Sequence, residues 1–250
     1  MAQLFPEGTQ RLQAMIIRPD GNALLFITQP DHARLAADLL DHWPEVAGHP
    51  RREAIALAVR EHDNGWRELD TEMVFDTAAG RALDFIDAPE GVKQSVWPRG
   101  VDRLAEASPY AAALVARHAI FVYDSHRDTS AWAGFFDRMR ARQDALVQRA
   151  SVSLDALEAD YRFLCVADLL SLTFCNGWPD DHERLGVHAR SVDGVLTIAP
   201  PILGTAPLPV RVRARRLDKR PYASAADLRA AFEEAPLEFL EGHTAVPTPV

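Results

Sequence analysis

Apolar residues recur along this chain with two periods, and the switch between them marks out its elements. Two short apolar runs, residues 15–17 and 23–27, flank Pro19-Asp20-Gly21-Asn22, and that turn chemistry predicts a β-hairpin over 14–28. From residue 28 to 63 and again from 108 to 176 the period is helical. Thr28 caps a helix that Pro30 and Asp31 favour in its first turn and that runs to Trp43, with Leu35, Ala36, Leu39 and Trp43 on its apolar face. A second helix spans 51–63 on Ile55, Ala58 and Val59, and Gly65 is expected to end it in the left-handed conformation. Ser108-Pro109 opens a third, with Ala111, Leu114, Val115, Phe121 and Val122 in its stripe. An amphipathic helix over 130–150 buries Trp132, Phe135, Phe136, Met139 and Leu146. A longer one over 154–176 buries Leu157, Tyr161, Leu164, Leu172 and Cys175.

Two regions lack the helical period. Residues 67–100 contain Gly80, Pro89, Gly91, Pro98 and Gly100, and read as a long irregular segment. Phe75, Phe85, Ile86 and Trp97 give it the means to pack as a cover over a site, with Trp66 or Trp97 beside the ligand. Beyond residue 185 the pattern becomes that of strands, over 185–192 and 195–199 with Asp193-Gly194 between them, and again over 210–214. Arg211, Arg213 and Arg215 alternate along the last, as a solvated face or a phosphate-binding stripe. Ser224 starts a short helix to Ala235, and the tail from Pro236 is expected to be loosely ordered.

Composition narrows the class. The chain has 250 residues and a net charge of −9, which argues against nucleic acid as a partner. No apolar run reaches the roughly 18 residues of a membrane span. The N-terminus has no basic stretch followed by an apolar one, so no signal peptide is expected. Cys165 and Cys175 lie in one expected helix, roughly 15 Å apart along its axis and too far for a disulfide. A reducing, cytoplasmic setting follows.

The candidate chemistry comes from ionisable residues placed on apolar faces. His32 stands on the face of the first helix, His62 on that of the second, His118 inside the stripe of the third, and Asp168 on the core face of the last. Asp63 follows His62 directly. Each histidine alone reads as a core residue bonded to a carbonyl. Asp168, however, has no lysine or arginine on its own face within a turn, and a buried lone carboxylate is costly. A divalent cation would satisfy the whole group, with Mn, Fe, Co, Mg and Zn not distinguished by these residues. Arg67 either binds the phosphate or carboxylate of a small anionic substrate or pairs with Asp70 or Glu68.

The order His32, then His62-Asp63, then Asp168 resembles the HD-domain superfamily of metal-dependent phosphohydrolases, over about residues 28–176. The resemblance implies a mainly α fold: an HD-like helical bundle over 28–176, here with the N-terminal hairpin and a small β extension over 185–235, in a single domain 1–250. It implies His32, His62, Asp63 and Asp168 as metal ligands, and His118 stands where two-metal variants place a further histidine. Those variants that cleave cyclic dinucleotides carry a lysine after the glycine, where this chain has Trp66. The chain also resembles an uncharacterised bacterial domain-of-unknown-function family, through Gln29-Pro30-Asp31-His32 and His62-Asp63-Asn64-Gly65-Trp66.

The expected function is metal-dependent hydrolysis of a small phosphorylated compound, with Asp63 orienting the water and Arg67 or the C-terminal arginines neutralising the phosphate. Two rivals differ in class. One is an HD-type di-iron oxygenase acting on a small molecule, and the other a non-catalytic metal- or nucleotide-binding protein.

Overall fold

The computed structural model describes residues 15–67 and 75–247. The N-terminal hairpin forms as the turn chemistry dictates: β1 (Ile16–Asp20) and β2 (Ala23–Ile27) meet at Gly21, whose φ of 59° suits glycine. The expected mainly α bundle with a small hairpin and a small β extension is corrected by what the hairpin does next. β2 pairs antiparallel with β8 (Pro209–Asp218), matching Ala23 with Asp218. The hairpin and the C-terminal strands thus form one seven-stranded sheet in the order β1-β2-β8-β9-β7-β6-β5. Its other strands are β5 (His182–Arg184), β6 (Val187–Val192), β7 (Val195–Ala199) and β9 (Leu237–Ala245), and the β7–β9 pair is parallel. A second, two-stranded sheet joins β3 (Phe75–Asp76) to β4 (Arg81–Ala82). The hairpin's free edge needs hydrogen-bond partners, and residues almost two hundred positions away supply them.

Strand alternation decides which face the helices cover. Val187 and Ala189 of β6, Leu196 and Ile198 of β7, and Val210, Val212 and Ala214 of β8 are buried in the main core. α1 (Gln29–Leu40) lies against β8, while α7 (Leu154–Asn176) packs on β1, β5, β6 and β7. α2 (Pro44–Ala47) and α3 (Arg52–Glu61) follow α1 in the chain, and α3 packs on α1, α5 and α7. α5 (Pro109–Val122) and α6 (Ser130–Ala150) form an antiparallel pair beyond. On the opposite sheet face α8 (Ala225–Glu234) closes a small second core with Phe26, Leu217, Tyr222 and Leu228. Arg211 and Arg215 of β8 are paired rather than arrayed for phosphate. Arg211 pairs with Glu241 and stacks on Phe239, and Arg215 bonds the Ala235 carbonyl above the Phe232 ring.

Two further expectations change. The irregular segment 67–100 contains a regular helix, α4 (Glu90–Ala105), which continues through Pro98 and buries Val92, Val96, Trp97, Val101 and Leu104. The tail expected to be loose is β9, hydrogen-bonded between β8 and β7. It carries few apolar residues, and its place depends on Gly242, where a Cβ would lie 1.9 Å from the Gly194 carbonyl oxygen.

One buried ion cluster ties the α2–α3 connection to α5 and α7. Asp160 of α7, 2 % exposed at its side chain, accepts from Arg51 Nε at 2.6 Å and from Tyr110 Oη at 2.8 Å, and lies 3.2 Å from His49 Nε2. Replacing Asp160 by alanine removes the acceptor from three partners. Arg51 keeps 31 % of its side chain in water, so the loss should be about 2–3 kcal/mol, less than for a fully buried pair. Urea unfolding of Asp160→Ala should show this loss with metal binding retained; a variant as stable as the parent would contradict it.

Candidate metal centre

Three imidazoles meet in the core, and each has one ring nitrogen committed to the protein. His62 Nδ1 lies 2.7 Å from the Val59 carbonyl oxygen, which only accepts, so Nδ1 carries the proton. His32 Nδ1 lies 2.9 Å from Ser171 Oγ, and that hydroxyl donates to the Asp168 carbonyl, leaving its lone pairs for the imidazole N–H. His118 Nδ1 lies 3.0 Å from Tyr161 Oη, a hydroxyl that can donate or accept. In the neutral rings of His62 and His32 the lone pair is therefore on Nε2, and in His118 the engaged Nδ1 leaves Nε2 as the nitrogen facing the cluster, as in metal-ligating histidines held by outer partners. The rings are almost wholly buried: His32 is 0 %, His62 1 % and His118 2 % exposed.

The carboxylates close around these nitrogens. His32 Nε2 is 3.2 Å from His62 Nε2 and 2.8 Å from Asp63 Oδ2. Asp168 Oδ1 lies 3.3 Å from His62 Nε2 and 3.8 Å from His32 Nε2, while its Oδ2 lies 3.7 Å from His118 Nε2. The ligand atoms of His32, His62 and Asp168 all lie within 4.8 Å of one another. Ligands roughly 2.1 Å from a shared ion stand about 3–3.5 Å apart, so these separations fit one divalent cation. Asp63 joins the triad on the His32 side and His118 on the Asp168 side.

The charges agree with the distances. Burial opposes charge on His62, but Asp63 and Asp168 outweigh it and push its pKa up to about 9. Burial opposes both carboxylates as well; His62 and His32 hold Asp63 below its usual range, and His62 and His118 do the same for Asp168. Burial drives His118 down to about 4, so its imidazole is neutral. Without a cation, two carboxylates face one imidazolium. A divalent ion balances both and replaces the proton of His62.

The turn that presents His62 and Asp63 is built residue by residue. α3 ends at Glu61, and Asp63 leaves helical geometry at φ −101°, ψ 17°, which turns its side chain back beside that of His62. Asn64 donates to the Gly100 carbonyl at 3.2 Å and accepts from Arg103. Gly65 is not left-handed, which corrects the reason given for it: it belongs to a 3-10 turn, Asn64–Trp66. A Cβ there would lie 2.0 Å from the Val96 carbonyl oxygen, so the glycine lets α4 approach the turn. Trp66 anchors the turn in the core at 4 % exposure.

Of the expected site residues, His32, His62, Asp63, His118 and Asp168 are brought together. Arg67 is not placed against them; its Nη2 lies 2.6 Å from Glu61 Oε2. Glu68 and Asp70, the alternative partners, lie outside the described residues. His126, just beyond α5, stacks on Trp132. Trp97 does border the site, its ring 5.5 Å from that of His118. The outer partners Tyr161 and Ser171 were overlooked, though they stand seven before and three after Asp168 on α7, spacings that share a helix face.

His62→Ala and Asp168→Ala should each lose bound metal, read by elemental analysis of protein purified without an affinity tag; full occupancy in both would contradict the ligand assignment. Proton linkage gives a further expectation. With its folded pKa near 9 against 6.5, the His62 imidazolium stabilises the metal-free fold below about pH 6.5, and this is lost as pH rises through about 9. Metal requires the neutral ring, so binding at pH 7.5 should release about one proton and tighten up to tenfold per pH unit towards pH 9. Calorimetry of manganese binding in buffers of different ionisation enthalpy measures this; binding without proton release would contradict it.

The family model described as "Protein of unknown function (DUF3891)" matches residues 15–219, from β1 through the end of β8, and so spans every residue of the His/Asp cluster. No curated protein and no solved structure matches the chain. With well over half of its length matched, the chain belongs to the DUF3891 family.

Proposed function

We propose that this chain is a metal-dependent hydrolase of a small phosphorylated compound. The observation that carries the reading is the meeting of three imidazole Nε2 atoms and two carboxylates, with every Nδ1 already bonded to the protein. The phosphorylated substrate class is supported by the order of the ligands, which resembles that of the HD phosphohydrolases although the overall fold differs. His32, His62 and Asp168 would hold the ion, with Asp63 and His118 on either side. A bound divalent cation supplies Lewis acidity and lowers the pKa of water at the site.

The chain's own residues do the rest. Asp168 and Asp63 are the solvent-touched members of the cluster, with side chains 16 % and 10 % exposed, so substrate enters on the carboxylate side. Asp63, held below its usual pKa, is an ionised acceptor for the proton of the attacking water. Water oxygen bonds to phosphorus, the ester P–O bond breaks, and the leaving oxygen takes a proton. Arg67 neutralises the phosphate only by exchanging Glu61 for it. Two buried free thiols, Cys165 and Cys175, fit a reducing, cytoplasmic location, which forms part of this proposal. Among the described residues no helix is long and apolar enough to cross a membrane.

A second reading has its own observation. Two histidines and one carboxylate form the tightest part of the cluster, which is the ligand set of non-haem iron oxygenases. A phosphate-release screen over a phosphoester panel, under argon with manganese, cobalt, magnesium and ferrous iron in turn, separates the two. Release without oxygen, at least a hundredfold slower in His62→Ala, is expected. No release with any metal, together with oxygen uptake by the iron-loaded protein, would overturn the hydrolase in favour of the oxygenase.

A further inference from the structure

Gln29 belongs to the Gln29-Pro30-Asp31-His32 stretch, and nothing in the metal centre uses it. It opens α1 and is 1 % exposed, yet its Nε2 amide has no hydrogen-bond partner. A buried amide without a partner costs about 1–3 kcal/mol, and an apolar side chain of the same length would remove that cost. Gln29 also stands one turn before His32 on the same buried face of α1. Side chains of a helix lean towards its N-terminus, so the His32 ring overlies the turn that Gln29 opens. Thr28 Oγ1 and the Thr28 carbonyl already take the Asp31 amide, so the unmet need in this first turn is the Gln29 donor itself.

A buried donor without an acceptor, one helical turn before His32, calls for a ligand that brings oxygen lone pairs. We propose that Gln29 is a substrate-binding residue, its Nε2 donating to an oxygen of the oxyanion held at the metal centre. This rests on the reading of that centre as a phosphoester hydrolase and assigns to it a neutral, charge-independent contact. The neutral donor suits the place. The ion already offsets the two carboxylates, and a second cation there would compete with it for Asp63 and Asp168.

The test uses manganese-loaded full-length protein with inorganic phosphate as the probe. Gln29→Leu and the more nearly isosteric Gln29→Met should keep metal affinity within about threefold and melt no lower than the parent. Both should bind phosphate at least tenfold more weakly by calorimetry. Phosphate affinity equal to the parent's in both variants would overturn the role of Gln29 alone. A parent that binds manganese but not phosphate would overturn it together with the phosphoester reading. Loss of manganese in Gln29→Met would also overturn it, because the residue would then be supporting the ligands rather than meeting substrate.

Discussion

Two imidazole nitrogens, His32 Nε2 and His62 Nε2, stand 3.2 Å apart in rings that are almost wholly buried. Their partner nitrogens are bonded to Ser171 and Val59, so each ring points a lone pair at the other. Lone pairs do not hold that distance without positive charge between or beside them. Asp63 and Asp168 add two negative charges to the same space. A proton on His62 relieves part of this conflict, and a divalent cation relieves all of it.

Much of the architecture can be understood as holding these groups still. α1, α5 and α7 each contribute a residue and the turn after α3 contributes two, and α7 is fixed from two sides. Its outer end is pinned by Asp160 to Arg51 and Tyr110, and its flank lies on the sheet. The sheet needs both chain ends, because β8 bridges the N-terminal hairpin to β9. The 3-10 turn after His62 is clamped on α4 through Asn64, Gly65 and Gly100, two glycines whose backbones nearly touch. A side chain at either would separate α4 from the turn and release Asp63.

The helices that position the His/Asp cluster were legible because helical period is a local signal: His32, His62, His118 and Asp168 interrupt apolar faces that three or four neighbours define. The outer bonds could have been read by the same spacing, since Tyr161 and Ser171 share a face with Asp168. The sheet could not, because the pairing of Ala23 with Asp218 leaves no trace within any window of sequence. α4 was hidden by Gly91, Pro98 and Gly100, residues that disfavour helices; Gly100 is needed because its missing Cβ would lie 3.1 Å from Gly65 N. Gly65 itself was noticed for the wrong cause: close approach of two backbones and a left-handed turn both select glycine, and sequence does not separate them. β9 was misread as a loose tail because its strand is secured by backbone bonds on both edges rather than by an apolar face.

An ion in this centre would meet the imidazoles through Nε2. X-ray absorption at the metal edge of manganese-loaded protein tests this most directly, because imidazole rings give characteristic outer-shell scattering. Nitrogen and oxygen neighbours near 2.1 Å, with scattering from at least two imidazoles that diminishes in His32→Ala, are predicted. An ion surrounded by oxygen alone, with no imidazole scattering, would contradict it.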